Sequence, residues 1–263
     1  MLLNKMLPKF AGLMLFFCSL AAALQTTAAD GGSYYQIKIY HYKTDAQKQV
    51  IDSYLKAVFV PNVHKMGIKQ VGVFTTLDAD TTDKRIYVFI PFKSWRSIET
   101  FENDINKADL LATGNEYINA GHKTPPYTRV ETLILSAFIK APNPVVPQLK
   151  APKADRIYEL RSYEGPTEKY YINKVKMFND GDEVGLFKRL GFNAVFYAKV
   201  LAGSHMPNLM YMTTFENKAD RDKHWEAFSA DAYWKKLSAM PEYQNNVSKG
   251  DITFLHPTEY SDF

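Results

Sequence analysis

The stretch "RIYELRSY", Arg156–Tyr163, decides how this chain is read. Successive strand residues point to opposite faces. Tyr158, Leu160 and Ser162 therefore share one face, and Glu159, Arg161 and Tyr163 the other. A polar strand face commonly looks at water; the alternative is that it lines something enclosed. An earlier stretch, "YQIKIYHY" from Tyr35, repeats the pattern, with Tyr35/Tyr158, Lys38/Arg161 and Tyr40/Tyr163 in correspondence. Gly67/Gly191 and Phe92/Phe215 follow in the same order at a near-constant offset. The repeating unit far exceeds the roughly 20–50 residues of solenoid repeats, so the chain reads as a duplicated domain.

Between the copies lies "APNPVVPQLKAPKA", residues 141–154, with prolines at 142, 144, 147 and 152. Proline lacks the backbone donor and fixes φ, so this segment reads as an extended linker. Each half then gives one element order. A strand comes first (Tyr35–Tyr42; Ile157–Tyr163). The helix that follows opens at Thr44, whose Thr-x-x-Gln pattern with Gln47 is a capping box, or at Thr167, and closes at Gly67 or Gly191. Pro61 interrupts the first of these helices and Asp180–Gly181 the second. Two strands follow (Lys69–Thr75 and Ile86–Phe92; Asn193–Val200 and Leu209–Phe215). A second helix is capped by Ser94 or Asn217, and a last strand closes each half. The order β-α-β-β-α-β, twice, predicts an α+β fold of two tandem ferredoxin-like units, over residues 34–140 and 155–263.

The N-terminus has a different character. Lys5 and Lys9 precede the apolar run "FAGLMLFFCSLAAAL", Phe10–Leu24, and small residues follow at Thr27 and Ala29. This is the pattern of a secretory signal peptide over residues 1–29, and the run is shorter than the roughly 20 residues of a membrane span. The expected location is periplasmic or extracellular, with no membrane attachment after cleavage. Of the 263 residues, 32 are basic and 28 acidic, a net charge of +4. Without residues 1–29, 30 basic residues face the same 28 acids. So small an excess argues against a nucleic-acid partner. Cys18 is the only cysteine, so the secreted chain has no disulfide, no thiolate metal site and no cysteine nucleophile.

Several segments of the second half, "YELRSY", "LFKRLGFNAVFYAKVLAG", "LMYMTTFENKADRDKHWEAF" and "DAYWKKL", resemble the NIPSNAP family. The first half matches more weakly, with Gln36 where the second has Glu159 and Lys38 where it has Arg161. The resemblance implies a dimeric α/β barrel, in which two ferredoxin-like units pack sheet to sheet around an internal cavity, here within one chain. Cofactor-free monooxygenases and haem-handling enzymes occur in the same superfamily.

Each unit must cover one sheet face with its helices. The apolar faces, Tyr35/Ile37/Ile39 and Tyr158/Leu160, are expected to do this. The polar faces, with Lys38 and Tyr40 in one half and Glu159, Arg161 and Tyr163 in the other, are then expected to border the space between the units. There they grip a ligand carboxylate or carbonyl, with Arg161 as bidentate donor, or else Glu159 and Arg161 form a structural ion pair. His205, in the hairpin loop "AGSHMPN", is a further candidate at a cavity mouth. The six histidines show no metal-ligand spacing, so neither metal nor cofactor is expected. His224 reads as a boundary residue, and Trp225, Phe228 and Trp234 as core. "NVS" at Asn246 fits a glycosylation sequon. The resulting expectation is a secreted protein that binds a small molecule between its two units, with pairing into homodimers through exposed strand edges. The alternatives are a cofactor-free monooxygenase or haem-handling enzyme, and a non-catalytic interaction module.

Overall fold

The computed structural model describes residues 32–77, 82–111 and 115–263. The proposed signal segment and Cys18 lie outside the described residues. In the first half the order is β1 (Tyr34–Tyr42), α1 (Asp45–Tyr54), a π-helical turn (Leu55–Phe59), α2 (Val60–Lys65), β2 (Gly72–Thr76), β3 (Lys84–Phe92), α3 (Trp95–Leu110) and β4 (Arg129–Ala137). The second half gives β5 (Ile157–Glu164), α4 (Glu168–Asn179), α5 (Glu183–Arg189), β6 (Asn193–Ala202), β7 (Asn208–Phe215), α6 (Lys218–Ala230), α7 (Ala232–Ser238) and β8 (Lys249–Pro257).

Local chemistry sets most of these boundaries. The Thr44 hydroxyl accepts from the Gln47 amide, and the Gln47 side chain returns the bond to the Thr44 backbone. Asn217 caps α6 through Asp220 N–H at 2.9 Å. Gly67 at φ +89° and Gly191 at φ +78° end their helices in the left-handed region. Around Pro61 the helix passes through the π turn instead of stopping. The second helix breaks at Asp180–Asp182, with Asp182 at φ 52°.

The eight strands close into one antiparallel barrel in the order β1-β3-β2-β8-β5-β7-β6-β4. Each half contributes its strands in the ferredoxin-like order, and the halves join through β2–β8 and β4–β6. A barrel of about eight strands has an interior that side chains alone can fill. Here that interior holds Tyr35, Ile37, Phe89, Leu135, Tyr158, Leu160, Phe196, Met212 and Phe263, drawn from both halves. Phe89 stacks on Phe196 at 5.0 Å, and Tyr35 leans on both rings at 5.1 and 5.3 Å. Phe74 meets Tyr158 at 5.0 Å. Two further cores lie outside the barrel wall, one under the helices of each half. The linker adds Val146 and Leu149 to the barrel core and runs beside β6 through the bond from Val145 N to Val195 O.

The structure reverses the expected assignment of strand faces. Tyr35, Ile37, Tyr158 and Leu160 point into the barrel, and the space expected to be a cavity between the units is occupied by their rings and branched side chains. Gln36, Lys38 and Tyr40, and Glu159, Arg161 and Tyr163, lie beneath the helices. The reason is closure. In a closed barrel both faces of every strand are covered, and the lumen is the face without access to polar helix termini or solvent. The lumen therefore takes the apolar side chains.

Candidate functional site

The helix-side face of β5 carries a buried polar network. Glu159 is fully buried. Its Oε1 accepts from Arg161 Nε at 2.5 Å and from Arg221 Nη2 at 3.1 Å; its Oε2 accepts from Arg221 Nε at 2.6 Å and from Trp225 Nε1 at 2.9 Å. Arg221 and Trp225 stand one turn apart on α6, so both reach the same strand residue. The Arg161 guanidinium lies 3.7 Å from the Trp225 ring centroid. Its Nη1 donates to the Tyr163 hydroxyl at 2.8 Å, which in turn meets the Tyr211 hydroxyl at 3.0 Å. Charge-assisted bonds of this kind are roughly twice as strong as neutral ones, and four of them reach the Glu159 carboxylate.

A second buried pair adjoins it. Lys174 Nζ of α4 lies 2.9 Å from Glu183 Oε2 of α5 and 3.3 Å from Met177 Sδ. The ammonium sits 4.7 Å from the Phe178 ring centroid and 5.7 Å from that of Trp234. Burial raises the Glu183 pKa, while Lys174 and the Arg161 charge pull it back. Burial also raises Tyr211 and Tyr197 well above the ordinary phenol value, and Glu183 adds to both. Tyr171, on the same layer, is pushed up to about 12 by burial. Arg161, Tyr163, Tyr211, Lys174, Glu183 and Tyr197 are thus one electrostatically coupled group. Together with Glu159 it grades from that sealed carboxylate to the half-buried Tyr163.

The first half is built differently at the corresponding place. Lys38 pairs with Glu102 of α3 at 2.9 Å, and Gln36 donates to the same carboxylate at 2.7 Å. Most of the rest of that layer is aliphatic and aromatic, including Ile51, Leu55, Phe59, Val73, Val88 and Ile90, with one hydrogen bond from the Tyr260 hydroxyl to Asp52 at 2.6 Å. Tyr40 belongs to this layer and packs edge-on to Tyr117 and Tyr127. The six predicted site residues therefore do not converge. Glu159, Arg161 and Tyr163 form one cluster; Lys38 and Tyr40 lie in the opposite half. His205, at φ 62° in an exposed loop, meets Glu164 at 3.2 Å and lies away from this cluster. His224 sits at the layer's edge, its Nδ1 2.8 Å from Asp220 O. Asn246 of the sequon is buried. Sequence reading missed Arg221, Lys174 and Glu183. The i, i+4 spacing of Arg221 and Trp225 was a usable signal, and so was the position of Lys174 among Tyr171, Val175 and Met177 on one helix stripe. Among the described residues no group of three or more His, Cys, Asp or Glu is placed to hold a metal ion. No helix among them is long and apolar enough to cross a membrane.

An eight-stranded antiparallel barrel made of two ferredoxin-like halves, with helices outside, defines the dimeric α/β-barrel class within a single chain. Residues 158–262, the half that carries the polar layer, match the NIPSNAP family. Solved structures share the barrel fold over most of the chain. A candidate monooxygenase from Fusobacterium nucleatum superposes with a TM-score of 0.57 at 8% identity, over 86% of this chain and 93% of that one. One from Lactobacillus acidophilus gives 0.52 at 11%, over 86% and 94%. A NIPSNAP family protein from Agrobacterium tumefaciens aligns over 46% of this chain and 98% of its own, at 18% identity and a TM-score of 0.37. No curated protein matches the chain.

Proposed function

We infer that the second half binds a small planar molecule bearing a carbonyl or carboxylate oxygen, held between its sheet and its helices. The observation that carries this is the asymmetry of the two helix-covered layers. One holds a single ion pair, Lys38–Glu102, with Gln36 on the same carboxylate and a Tyr260–Asp52 hydrogen bond at its edge, and is otherwise apolar. The other buries two carboxylates, two guanidiniums and an ammonium among tyrosines and tryptophans. Buried ion pairs contribute little net stability relative to apolar packing, and coupled titratable groups with shifted pKa values mark functional sites. In this reading Glu159 orients Arg161, whose remaining N–H groups and the Tyr163 hydroxyl receive the ligand oxygen. Trp225, Trp234 and Tyr171 supply the flat apolar walls. Binding is proposed, not turnover: the likeness to candidate monooxygenases, at 8–11% identity, concerns the fold alone.

Native mass spectrometry of the full-length gene product purified from its host tests this. A co-purifying small molecule is expected on the wild type and absent from Arg161→Met/Tyr163→Phe. The same spectrum tests export, for which the reading predicts a mature mass beginning at Asp30. A second reading, that the network only clamps α6 to the sheet, is favoured by the complete satisfaction of Glu159. It predicts that the double variant unfolds while the wild type carries no ligand.

A further inference from the structure

The first half contains a groove of about 930 Å3 that shares no residue with the polar layer. It lies where the α2–β2 connection, the β3–α3 connection and linker residues Asn143 and Pro144 come together. Its volume is within the roughly 300–1,000 Å3 of small-molecule sites. The floor is part of the first-half core: Phe92 and Phe101 are buried, and their rings meet at 5.2 Å. Met66 and Ile68 are half-buried and pack against the same core, so this wall is apolar and fixed.

The rim is mainly basic. Lys69, Lys93 and Arg96 line the groove, are exposed, and have no ion-pair partner among the described residues. The one acidic side chain in the lining, Asp104, is answered by Lys107 at 3.3 Å. Some surface cations elsewhere are paired, as in Lys218–Asp222 and Arg189–Asp231; what sets these three apart is that they surround one apolar floor. Like charges around a low-dielectric wall focus the field and raise the local concentration of anions. A hydrated inorganic anion gains nothing from the Phe92–Phe101 floor. A polyanion is poorly matched to a chain of net charge +4.

We propose that this groove binds an amphipathic monoanion of the fatty-acid type. The alkyl body lies on Phe92, Phe101, Met66 and Ile68, and the carboxylate sits among Lys69, Lys93 and Arg96. The site is independent of the layer around Arg161.

Calorimetric titration of the full chain with dodecanoate, dodecyltrimethylammonium and acetate, alongside methyl NMR of labelled methionines, tests it. Dodecanoate is expected to bind, to shift Met66 and to leave Met177 still. Acetate and the quaternary ammonium are expected to bind at least about tenfold more weakly. Lys93→Glu/Arg96→Glu changes only exposed side chains. It is expected to keep the wild-type melting profile and to weaken dodecanoate about tenfold or more, and added salt is expected to weaken the wild type as well. Equal binding of the quaternary ammonium, an unchanged affinity in the double variant, or a shift confined to Met177 overturns the proposal. So does self-association that the same variant abolishes, since a second copy of the chain would then be the occupant.

Discussion

Replacing Glu159 with Gln removes one charge and almost no volume, so the variant isolates the electrostatics of the network. Gln retains one acceptor oxygen. Its amide nitrogen is a donor and must face the N–H groups of Arg161 or Arg221, which reach the carboxylate at 2.5–3.1 Å. Two guanidiniums whose side chains are 11% and 16% exposed then lose their common counter-charge. Breaking a buried pair by removing one partner costs about 3–5 kcal/mol. For a chain of this size, with about 2–4 °C per kcal/mol, that lowers Tm by roughly 6–20 °C. Thermal unfolding followed by circular dichroism, with urea titration as a second probe, measures it. The triple variant Glu159→Met/Arg161→Met/Arg221→Met removes all the charge and should recover most of the loss, because apolar replacement of a complete buried network is close to neutral. A Gln variant within about 1 kcal/mol of wild type, or a triple variant as unstable as the single one, would refute the account of Glu159 as the sealed anchor of α6.

Other consequences follow from the same geometry. The raised pKa of Glu183 means that its contribution to stability is fully present below the unfolded value of 4.5 and is lost as pH rises through the folded value. Lys174→Met/Glu183→Gln should flatten that decline from pH 4.5 upward and be neutral or stabilising at pH 7, read from urea midpoints across pH. Glu216 accepts from the linker amides of Lys150 at 3.0 Å and Ala151 at 2.6 Å, and these bonds hold its pKa below the usual value. Glu216→Ala should speed limited proteolysis within residues 141–154, and acidification of the wild type should do the same. Phe196→Ala, in the barrel centre, should cost about 3–5 kcal/mol in equilibrium unfolding, because Phe89 and Tyr35 lose their common neighbour.

What could be read from the sequence was local or repeated. The Thr44–Gln47 box, the Asn217 cap and the glycines at 67 and 191 act within a few residues, so spacing alone located the elements they bound. The repeat then gave the ferredoxin-like order of both halves. Which face of "YELRSY" turns inward depends on the closure of β2 onto β8 and of β4 onto β6. Those seams join residues far apart in the chain, and no local pattern encodes them. The polar face and its chemistry, including the contact between Glu159 and Arg161, are therefore legible in the strand's alternation, whereas the side of the sheet it occupies is not. Lys174 and Glu183 were hidden for a related reason. They come from two helices separated by the break at Asp180–Asp182, and each alone looks like an ordinary surface charge.

The most direct test of ligand binding in the second half is methyl NMR of methionine-labelled protein titrated with a panel of aromatic carboxylates and quinones. Met177 reports the polar layer through its contact with Lys174. Met210 and Met212 report the barrel interior, and Met66 reports the first-half groove. A saturable shift of Met177 that disappears in Arg161→Met/Tyr163→Phe, with Met210 and Met212 unmoved, is the predicted result. A panel that leaves Met177 unmoved, or shifts that survive in the variant, would contradict it.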